Sequence, residues 1–474
     1  MSASNDRQLQ LFDEGQPQRV EAVPQWYAEA SRRAWNTKAD EFSLKTSKQS
    51  KDLLEEILDP DNMYDAYLKV IGNKGAGGVD NMTVSEMEGW LDNNYSALEN
   101  RLLTGKYRPM PVRRVEIPKE EKGKVRLLGI PAVTDRMVQQ AVSQVLSPIY
   151  EPLFSSDSFG FRPNRSAHDA LLRIKEHADN GNVWCVSLDL ERFFDTVNQS
   201  KLIQLLSNTI KDGRVISLIH RFLMAGVEIN GEFEPTEEGT PQGGPLSPLL
   251  ANILLNELDK ELERRGHAFV RYADDCLILK KTRKAAERTR DTITDFIENK
   301  LFLKVNREKS FIALISDNVK YLGYAFYRYD KELRFRVHPK SVEKLKAKVR
   351  TITARSNGWS YDYRRSRLKS LVNGWVNYFK LADMKSLLAE IDSWCRRRIR
   401  AVYWKQWKRV KTKAKALTQL GININLAWQW ANSRKAYWRV AGSGILARAL
   451  NNAKLTGLGW VSFLDRFELV RGIT

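Results

Sequence analysis

Cysteine is scarce in this sequence, and long apolar runs are missing from it. Cys185, Cys276 and Cys395 are scattered along the 474 residues and form no CxxC pair. This spacing argues against a disulfide framework and against a zinc site, and it fits a reducing compartment. No run approaches the ~18 consecutive apolar residues of a membrane span, and residues 1–50 lack the layout of a signal peptide. We therefore expect an intracellular, cytoplasmic protein with no membrane partner.

The glycine-rich stretch NKGAGGVD at residues 73–80 lacks the GK[ST] ending of a phosphate-cradling loop. ATP binding is therefore disfavoured. The stretch is either a surface connector or a flexible lid over a bound strand, and the sequence favours neither interpretation.

Acidic residues are few in the last third of the chain. Residues 331–474 hold 32 Lys and Arg against 8 Asp and Glu, whereas residues 1–330 hold 45 against 49. Residues 1–330, with their many acidic side chains, can hold metal ions. Residues 331–474, with a net charge of +24, can neutralise a polyanion. An anionic membrane is the alternative partner, but there is no lipidation signal and no clear basic amphipathic anchor. The 13 Trp and 16 Tyr offer flat faces to bases and favour nucleic acid.

The central stretch is HAFVRYADDCLILKK at residues 267–281, which places Asp274 and Asp275 between two apolar runs. Aromatic and branched residues on both sides predict a strand, a tight turn and a second strand. Adjacent carboxylates repel each other unless a cation neutralises them, and all-oxygen sites suit Mg²⁺ when the substrate carries phosphates. A solvated hairpin tip is the alternative interpretation.

A third carboxylate belongs to the stretch VWCVSLDLERFFDTV at residues 183–197. The apolar residues predict a strand that ends near Asp189, so this side chain would emerge at the edge of a sheet. A single Asp at a strand end is a weak signal, with a surface carboxylate as the default. Combined with the Asp274–Asp275 turn, it forms a three-carboxylate constellation, which is much rarer.

Two further stretches carry cations suited to phosphate. Residues 112–118 and 125–130 predict a hairpin whose Lys119 and Arg126 could reach a triphosphate, although solvated hairpin charges are the alternative. The loop SFGFRPNRS at residues 158–166 precedes a predicted helix, and its Arg162 and Arg165 could contact phosphate. In GTPQGGPLSP at residues 239–248, Gln242 is the side chain able to hydrogen-bond a base or sugar edge.

The basic residues 331–474 begin with three predicted helices whose cationic outer faces would clamp a duplex. Lys344 and Lys348 lie on the first of them, and Arg397 lies in the arginine run of the third. Gly323, at a turn before these helices, would let a nucleic-acid strand approach the backbone. Residues 417–474 form a smaller basic region rich in Trp.

These stretches together resemble a known family. YADD at 272–275, DLERFFD at 189–195 and GTPQGGPLSP resemble the palm motifs of reverse transcriptases. Residues 117–141 and SFGFRPNRS resemble the finger motifs of group II intron-encoded proteins, NKGAGGVD resembles their N-terminal loop, and GWVNYF with WKQWK resembles their maturase thumb. The motifs come in family order, and the end of the chain without a Cys-rich nuclease domain is most similar to the class C type.

The resemblance implies an α+β fold, the right-hand polymerase, with fingers, a palm built on an antiparallel sheet and a helical thumb. A small basic helical domain would follow the thumb. The expected boundaries are an N-terminal extension of uncertain order at 1–50, fingers at 51–180, palm at 181–330, a three-helix thumb (maturase X domain) at 331–415 and a DNA-binding (D) domain at 416–474.

The resemblance also assigns roles to residues. Asp189, Asp274 and Asp275 match the catalytic, metal-binding triad, and the carbonyl of Leu190 would join them around two Mg²⁺ ions, with Mn²⁺ as the alternative. The ring of Phe194 would exclude a ribose 2′-OH by its bulk. The expected dNTP-binding residues are Lys119, Arg126, Phe194 and Gln242, and the expected template- or primer-binding residues are Arg162, Arg165, Gly323, Lys344, Lys348 and Arg397.

The implied function is an RNA-directed DNA polymerase, a nucleotidyltransferase of a group II intron that also binds intron RNA to promote splicing and mobility. Its partners would be an RNA template, the intron RNA, a DNA primer or target DNA, and dNTPs. Three alternatives stay open at the level of sequence. They are a reverse transcriptase recruited to defence or DNA repair, a splicing-only maturase that binds RNA, and an RNA-dependent RNA polymerase, against which Phe194 argues.

Overall fold

The computed structural model describes residues 23–43, 53–118, 125–240 and 243–472, without the side chains of residues 35–43 and of Arg126. These residues fall into two compact units, one within Gln16–Leu314 and the other within Ile315–Thr474. Both units mix helices with short sheets, so the expected α+β class is confirmed. None of the helices in the described ranges is both long and apolar enough to cross a bilayer.

The first unit contains ten α-helices and eight strands among its described residues. The helices are α1 (Gln25–Ser43), α2 (Leu53–Ile57), α3 (Pro60–Gly72), α4 (Met87–Leu103), α5 (Val133–Tyr150), α6 (Ala167–Asp179), α7 (Gln199–Thr209), α8 (Gly213–Leu223), α9 (Ser247–Arg264) and α10 (Arg283–Lys300). The strands are β1 (Val112–Pro118), β2 (Val125–Ile130), β3 (Trp184–Leu188), β4 (Val227–Ile229), β5 (Glu232–Glu234), β6 (Ala268–Tyr272), β7 (Asp275–Lys280) and β8 (Phe311–Leu314).

Two four-stranded sheets organise this unit. The first has the order β2-β1-β4-β5, and its β1–β2 hairpin is the one that the sequence predicts. The second has the order β6-β7-β3-β8 and is antiparallel throughout. Its central strands β3 and β7 carry branched and apolar residues that are buried on both faces, because helices cover the sheet. The expected antiparallel sheet is therefore present.

A large apolar cluster lies at the centre of the first unit. It runs from α1, α3 and α4 through α5 to α7, α8, α9 and α10 and to the inner face of β3. Helix α9 is buried almost all round, because it lies in the middle of this cluster. Helix α6 begins with a capping box between Ser166 and Asp169, which fixes the start that the sequence predicts.

The second unit begins with a two-stranded hairpin and continues as helices. Its elements are β9 (Tyr324–Tyr329), β10 (Glu332–Val337), α11 (Pro339–Ile352), α12 (Tyr361–Tyr378), α13 (Lys385–Gln406), α14 (Val410–Gln419), α15 (Ile424–Ala431), α16 (Tyr437–Ala441), α17 (Gly444–Ala449), α18 (Asn452–Gly457) and α19 (Phe463–Arg471). The three helices expected at 331–415 are present as α11, α12 and α13.

The division between the units falls at residues 314 and 315, ahead of the boundary that the sequence suggests at 330. Strand β9 pairs with β10, and the ring of Tyr324 packs 5.0 Å from that of Phe379 after α12. The C-terminal helices are not separate from α13 either. Trp404 of α13 belongs to their core, and the carboxylate of Asp392 accepts the backbone N–H groups of Phe463 and Leu464 at the start of α19.

Part of the N-terminal extension is docked on the first unit. Trp26 of α1 is 1% exposed, its ring lies 4.8 Å from that of Tyr95, and its backbone N–H donates to Asp92 at 2.9 Å. The sequence suggested that Trp26 and Trp35 could dock a short helix, and Trp26 does so. The side chain of Trp35 and residues 1–22 and 44–50 lie outside the described part of the chain.

We expect Trp26→Ala to lower the free energy of unfolding by about 3 kcal/mol, because it removes a fully buried indole and leaves a cavity between α1, α3 and α4. Urea unfolding followed by circular dichroism measures the change. Trp428→Ala is the control, since Trp428 is 42% exposed and its loss should cost under about 0.5 kcal/mol. Equal effects of the two substitutions would contradict the docking of α1.

Candidate metal centre at the end of the antiparallel sheet

Strand register brings the three predicted carboxylates to one end of the second sheet. Leu188, the last residue of β3, pairs with Cys276 of β7, so Asp189 follows directly beside Asp275, the first residue of β7. Asp274 lies in the two-residue turn between β6 and β7, where Tyr272 pairs with Asp275. The expected hairpin and the expected strand end are thus adjacent in space. Because neighbouring strands lie about 4.8 Å apart, Asp189 and Asp275 are within reach of a shared ion.

The backbone of Asp189 is fixed, whereas its carboxylate meets solvent. The backbone N–H donates to Ser310 Oγ at 3.1 Å, and the carbonyl accepts from the N–H of Asn306 at 2.8 Å. The side chain is 38% exposed, and the Nζ of Lys309 lies 3.9 Å from its Oδ2. Asp274 is half-buried and Asp275 is exposed.

The donor chemistry of this site fits a hard divalent ion, since all its side-chain donors are carboxylate oxygens at an accessible edge. In the described residues, however, no three His, Cys, Asp or Glu side chains are already grouped so that they could hold a metal ion. What brings the three carboxylates to one place is the backbone register.

The carbonyl of Leu190 is directed towards the same place. On the side that faces β8, the carbonyl of Asp189 accepts from the N–H of Asn306. On the same side, the N–H of Glu191 donates to the carbonyl of Lys304. Successive carbonyls of an extended chain point to opposite sides, so that of Leu190 points to the β7 side, where the Asp274–Asp275 turn lies.

The turn that presents the two aspartates is strained. Ala273 has φ +57°, a left-handed conformation that costs a residue with a Cβ about 1–2 kcal/mol. The loop at 158–166 supports this turn by pairing with β6, since the N–H of Phe159 donates to the carbonyl of Arg271 at 2.9 Å. Gly160 lies so close that a Cβ there would stand 2.2 Å from the backbone nitrogen of Ala273.

The GTPQGGPLSP loop meets the segment that carries Phe194. The N–H of Thr240 donates to the carbonyl of Phe194 at 2.7 Å, and the half-buried Phe194 ring packs edge-on against Phe193 at 5.1 Å. Gln242 itself lies outside the described residues. Its neighbour Gly243 abuts β2, where a Cβ would stand 2.2 Å from the carbonyl oxygen of Gly129.

The two cations expected at the triphosphate are described only in part. Arg126 lies in β2, where its backbone pairs with Ile117 of β1, and its side chain is outside the described part. Lys119 belongs to the segment 119–124, which is likewise outside. Both roles stay predictions.

Arg162, expected to contact template or primer, is bound within the protein. Its side chain is 2% exposed, and its guanidinium donates to both carboxylate oxygens of Glu151 and to the carbonyl of Ser158. Arg165 is half-buried and donates to the carbonyls of Ser156 and Ser158. Both arginines hold the 158–166 loop together, because loop carbonyls that no backbone N–H reaches need side-chain donors.

In the second unit the expected contact residues divide into two kinds. Lys344 is exposed and Lys348 half-exposed on α11, as a nucleic-acid contact requires. Arg397 instead donates to the carbonyl of Trp438 at 2.9 Å and stacks over the Trp438 ring at 4.2 Å. Gly323 has φ +81°, and its carbonyl already accepts from Ser341 Oγ at 2.8 Å.

Sequence reasoning missed the buried polar residues beneath the turn. Asn252 and Asp259 lie on α9, 1% and 0% exposed, and both bind the guanidinium of Arg271. Burial raises the pKa of Asp259, and the opposing charge of Arg271 counteracts that rise. The signal was that Asn252 and Asp259 fall at helical spacing among the apolar positions of α9.

Comparison with known proteins identifies related chains. The reverse transcriptase (RNA-dependent DNA polymerase) family model matches residues 117–326, and the group II intron maturase-specific domain model matches residues 342–421. Protein YkfC of Escherichia coli (strain K12) is 34% identical over 316 residues, which cover 58% of this chain and 83% of YkfC.

The group II intron-encoded protein LtrA of Lactococcus lactis subsp. cremoris is 33% identical over 350 residues, 59% of this chain. The chain spans only 58% of the length of LtrA. Among solved structures, a chain of a partial Cas6-RT-Cas1–Cas2 complex is 27% identical with a TM-score of 0.35, over 52% of this chain and 43% of that one.

We expect Gly160→Ala to lower the free energy of unfolding by about 1–3 kcal/mol, because the new Cβ overlaps backbone atoms of the turn, which have no free space to move into. Gly89→Ala is the matched control. Gly89 lies in α4 with no atom within 4 Å of a Cβ, so the added methyl should raise the free energy by up to about 1 kcal/mol. Chemical unfolding of both variants checks this, and a neutral Gly160→Ala would refute the close approach.

Proposed function

This chain belongs to the group II intron-encoded reverse transcriptase and maturase family, and on that premise we propose that it is an RNA-directed DNA polymerase that also binds a folded intron RNA. The observation that carries the proposal is the β3–β7 register, which sets Asp189 beside Asp275 at the end of an antiparallel sheet. Enzymes with this polymerase domain use divalent metal ions, and we infer Mg²⁺ here because all side-chain ligands are oxygens.

Asp189, Asp274, Asp275 and the carbonyl of Leu190 would hold the ions. When bound, two such ions supply Lewis-acid chemistry that activates the primer 3′-OH and neutralises charge on the leaving pyrophosphate. The chain's own residues align the reactants. Lys119 and Arg126 would bind the triphosphate, Gln242 would touch the base pair being formed, and the side chains of these three residues are proposed from the family motif alone.

We assign selection of dNTPs to Phe194. Its ring is half-buried and packs against Phe193, and its carbonyl is tied to Thr240, so the ring has little freedom to yield. A fixed ring at the sugar leaves no room for a 2′-OH, which distinguishes ribose from deoxyribose.

Binding of RNA and DNA falls to the second unit. Residues 393–464 contain 15 Lys and Arg and no Asp or Glu. Within them we define a basic surface at the end of α13 and along α14 by its exposed cations, which are Lys405, Lys408, Arg409, Lys411 and Lys415. Such a surface binds phosphates of either nucleic acid, so we propose that it contacts intron RNA or target DNA together with Lys344 and Lys348 of α11.

We expect Asp274→Asn to lower the rate of dNTP incorporation by about 1,000-fold or more, because loss of an ion ligand removes several kcal/mol of transition-state stabilisation. Extension of a DNA primer on an RNA template measures it, with EDTA as the chelation control. Asp295→Asn, which neutralises an exposed carboxylate on α10, is the matched variant and should extend normally. Extension by Asp274→Asn at the wild-type rate would overturn the metal assignment.

Affinity for the same RNA–DNA duplex should fall steeply with salt, since each neutralised phosphate releases counterions. Replacing Lys408, Arg409, Lys411 and Lys415 by Gln should make the log–log salt slope shallower by roughly 3, at about 0.7–0.9 per lost contact. Filter binding at several KCl concentrations measures both slopes.

The matched control neutralises four exposed cations of α10 in the first unit, Arg283, Lys284, Arg288 and Arg290. We expect its salt slope to stay within about 1 of the wild-type slope. Equal slopes for the two quadruple variants would contradict the assignment of the basic surface.

A further inference from the structure

A buried guanidinium lies beneath the turn that carries Asp274 and Asp275. Arg271 is in β6, and its side chain is 0% exposed. Its Nε and Nη2 donate to the two carboxylate oxygens of Asp259 at 2.7 and 2.6 Å, which fixes the plane of the guanidinium. Its Nη1 donates to Asn252 Oδ1 at 2.9 Å and to the carbonyl oxygen of Ala273 at 3.0 Å.

The same group ties three segments together. The amide of Asn252 accepts from Arg271 and, through its Nδ2, donates to the carbonyl of Gly160 at 2.9 Å. The backbone of Arg271 pairs with Ser158 in the 158–166 loop. The N–H of Arg271 donates to the carbonyl of Asp157, the residue before that loop, at 2.9 Å. Helix α9, this loop and the β6–β7 turn therefore share one buried polar network.

Core filling does not explain this network. A buried ion pair can often be replaced by apolar side chains of similar volume without loss of stability, because the desolvation of both charges disappears with them. What apolar side chains cannot supply is a donor for the Ala273 carbonyl. That carbonyl belongs to the left-handed residue immediately before Asp274, so the bond to Arg271 restrains the peptide from which the carboxylates extend.

We propose that Arg271 is a positioning residue of the carboxylate site. Held by Asp259 and Asn252, it fixes the Ala273 carbonyl and thereby the direction in which Asp274 and Asp275 leave the turn towards Asp189. The network touches neither nucleotide nor nucleic acid itself and acts only through the turn. The effect on kcat rests on the proposed polymerase function. The effect on Mn²⁺ affinity requires only that the carboxylates bind a metal ion.

The test is the double variant Asp259→Leu/Arg271→Met, which keeps the buried volume and removes the donor. We expect its thermal unfolding midpoint to fall only modestly, because removal of the desolvated ion pair offsets much of the cost of leaving the Ala273 carbonyl and Asn252 Oδ1 without their donor. Its Mn²⁺ affinity, measured by electron paramagnetic resonance without nucleic acid, should fall about tenfold or more, as for other loss of ligand support. In primer extension, kcat should fall about 100-fold with the KM for dNTP nearly unchanged, because misplaced carboxylates affect the chemical step.

Two further variants sharpen the test. Glu257→Gln/Lys260→Gln removes a solvent-accessible ion pair of the same helix and should change neither readout. Asn252→Ala keeps the Arg271–Asp259 pair but removes the amide that accepts from Arg271 and donates to Gly160, so it serves if the double variant does not fold. We expect it to weaken Mn²⁺ binding about tenfold with the fold intact.

Wild-type Mn²⁺ affinity and kcat in a folded double variant would overturn the proposal. Two other results would also overturn it. One is an unchanged Mn²⁺ affinity in Asn252→Ala, and the other is a loss of Mn²⁺ affinity or kcat, in either variant, that is no larger than the fraction of unfolded protein. A wild-type protein that binds Mn²⁺ through Asp274 but extends no primer would refute the proposed polymerase function and leave the positioning role standing. A wild-type protein that binds no Mn²⁺ at this site would refute the positioning role.

Discussion

Register between β3 and β7 is the constraint from which the site follows. Five backbone pairs, from Trp184 opposite Lys280 to Leu188 opposite Cys276, fix where β3 ends relative to the start of β7. Side chains alternate between faces along a strand, so a slip of one residue would bury Asp189 or turn it away from Asp275. The four residues 276–279 of β7 are all buried and lie between the charged Asp275 and Lys280, so a slip would carry one of these charges into the core. The apolar core therefore determines the position of the charged site.

Arginine and lysine have different tasks in the second unit. Several arginines face inward and donate to carbonyls that the helices leave unpaired. Arg364 and Arg398 bind carbonyls at the end of α11, and Arg400 binds that of Leu450 after α17. The planar guanidinium satisfies several such acceptors at once, and its positive charge complements the carbonyl end of a helix. The lysines of α14 reach water instead, so the charge available to a polyanion is smaller than the composition suggests and is mostly lysine.

The glycine-rich motifs show a second difference between composition and structure. The sequence left NKGAGGVD as a surface connector or a flexible lid, and it assigned SFGFRPNRS and GTPQGGPLSP to contacts with nucleic acid or nucleotide. In the structure Gly78 lies against Ala132, Gly160 against Ala273 and Gly243 against Gly129, all within distances that a Cβ would not permit. These are contacts between one motif and another, and they lock the loops around the sheet end. The motifs are thus parts of one packed assembly, in which each loop positions the next.

The sequence by itself determined the elements, the family and the candidate carboxylates, because alternating apolar residues, a two-residue turn and an ordered set of motifs are local features of the chain. It also determined the split between a nearly neutral front and a basic back. Only the tertiary structure decided which charges face solvent and which are buried. Arg162 and Arg271 look like surface cations in the sequence, yet both are buried against carboxylates, from Glu151 in the first case and from Asp259 in the second. The reason is that a charge enters a protein interior only where a distant segment supplies its partner, and such partners are set by packing across the fold, not by neighbours along the chain.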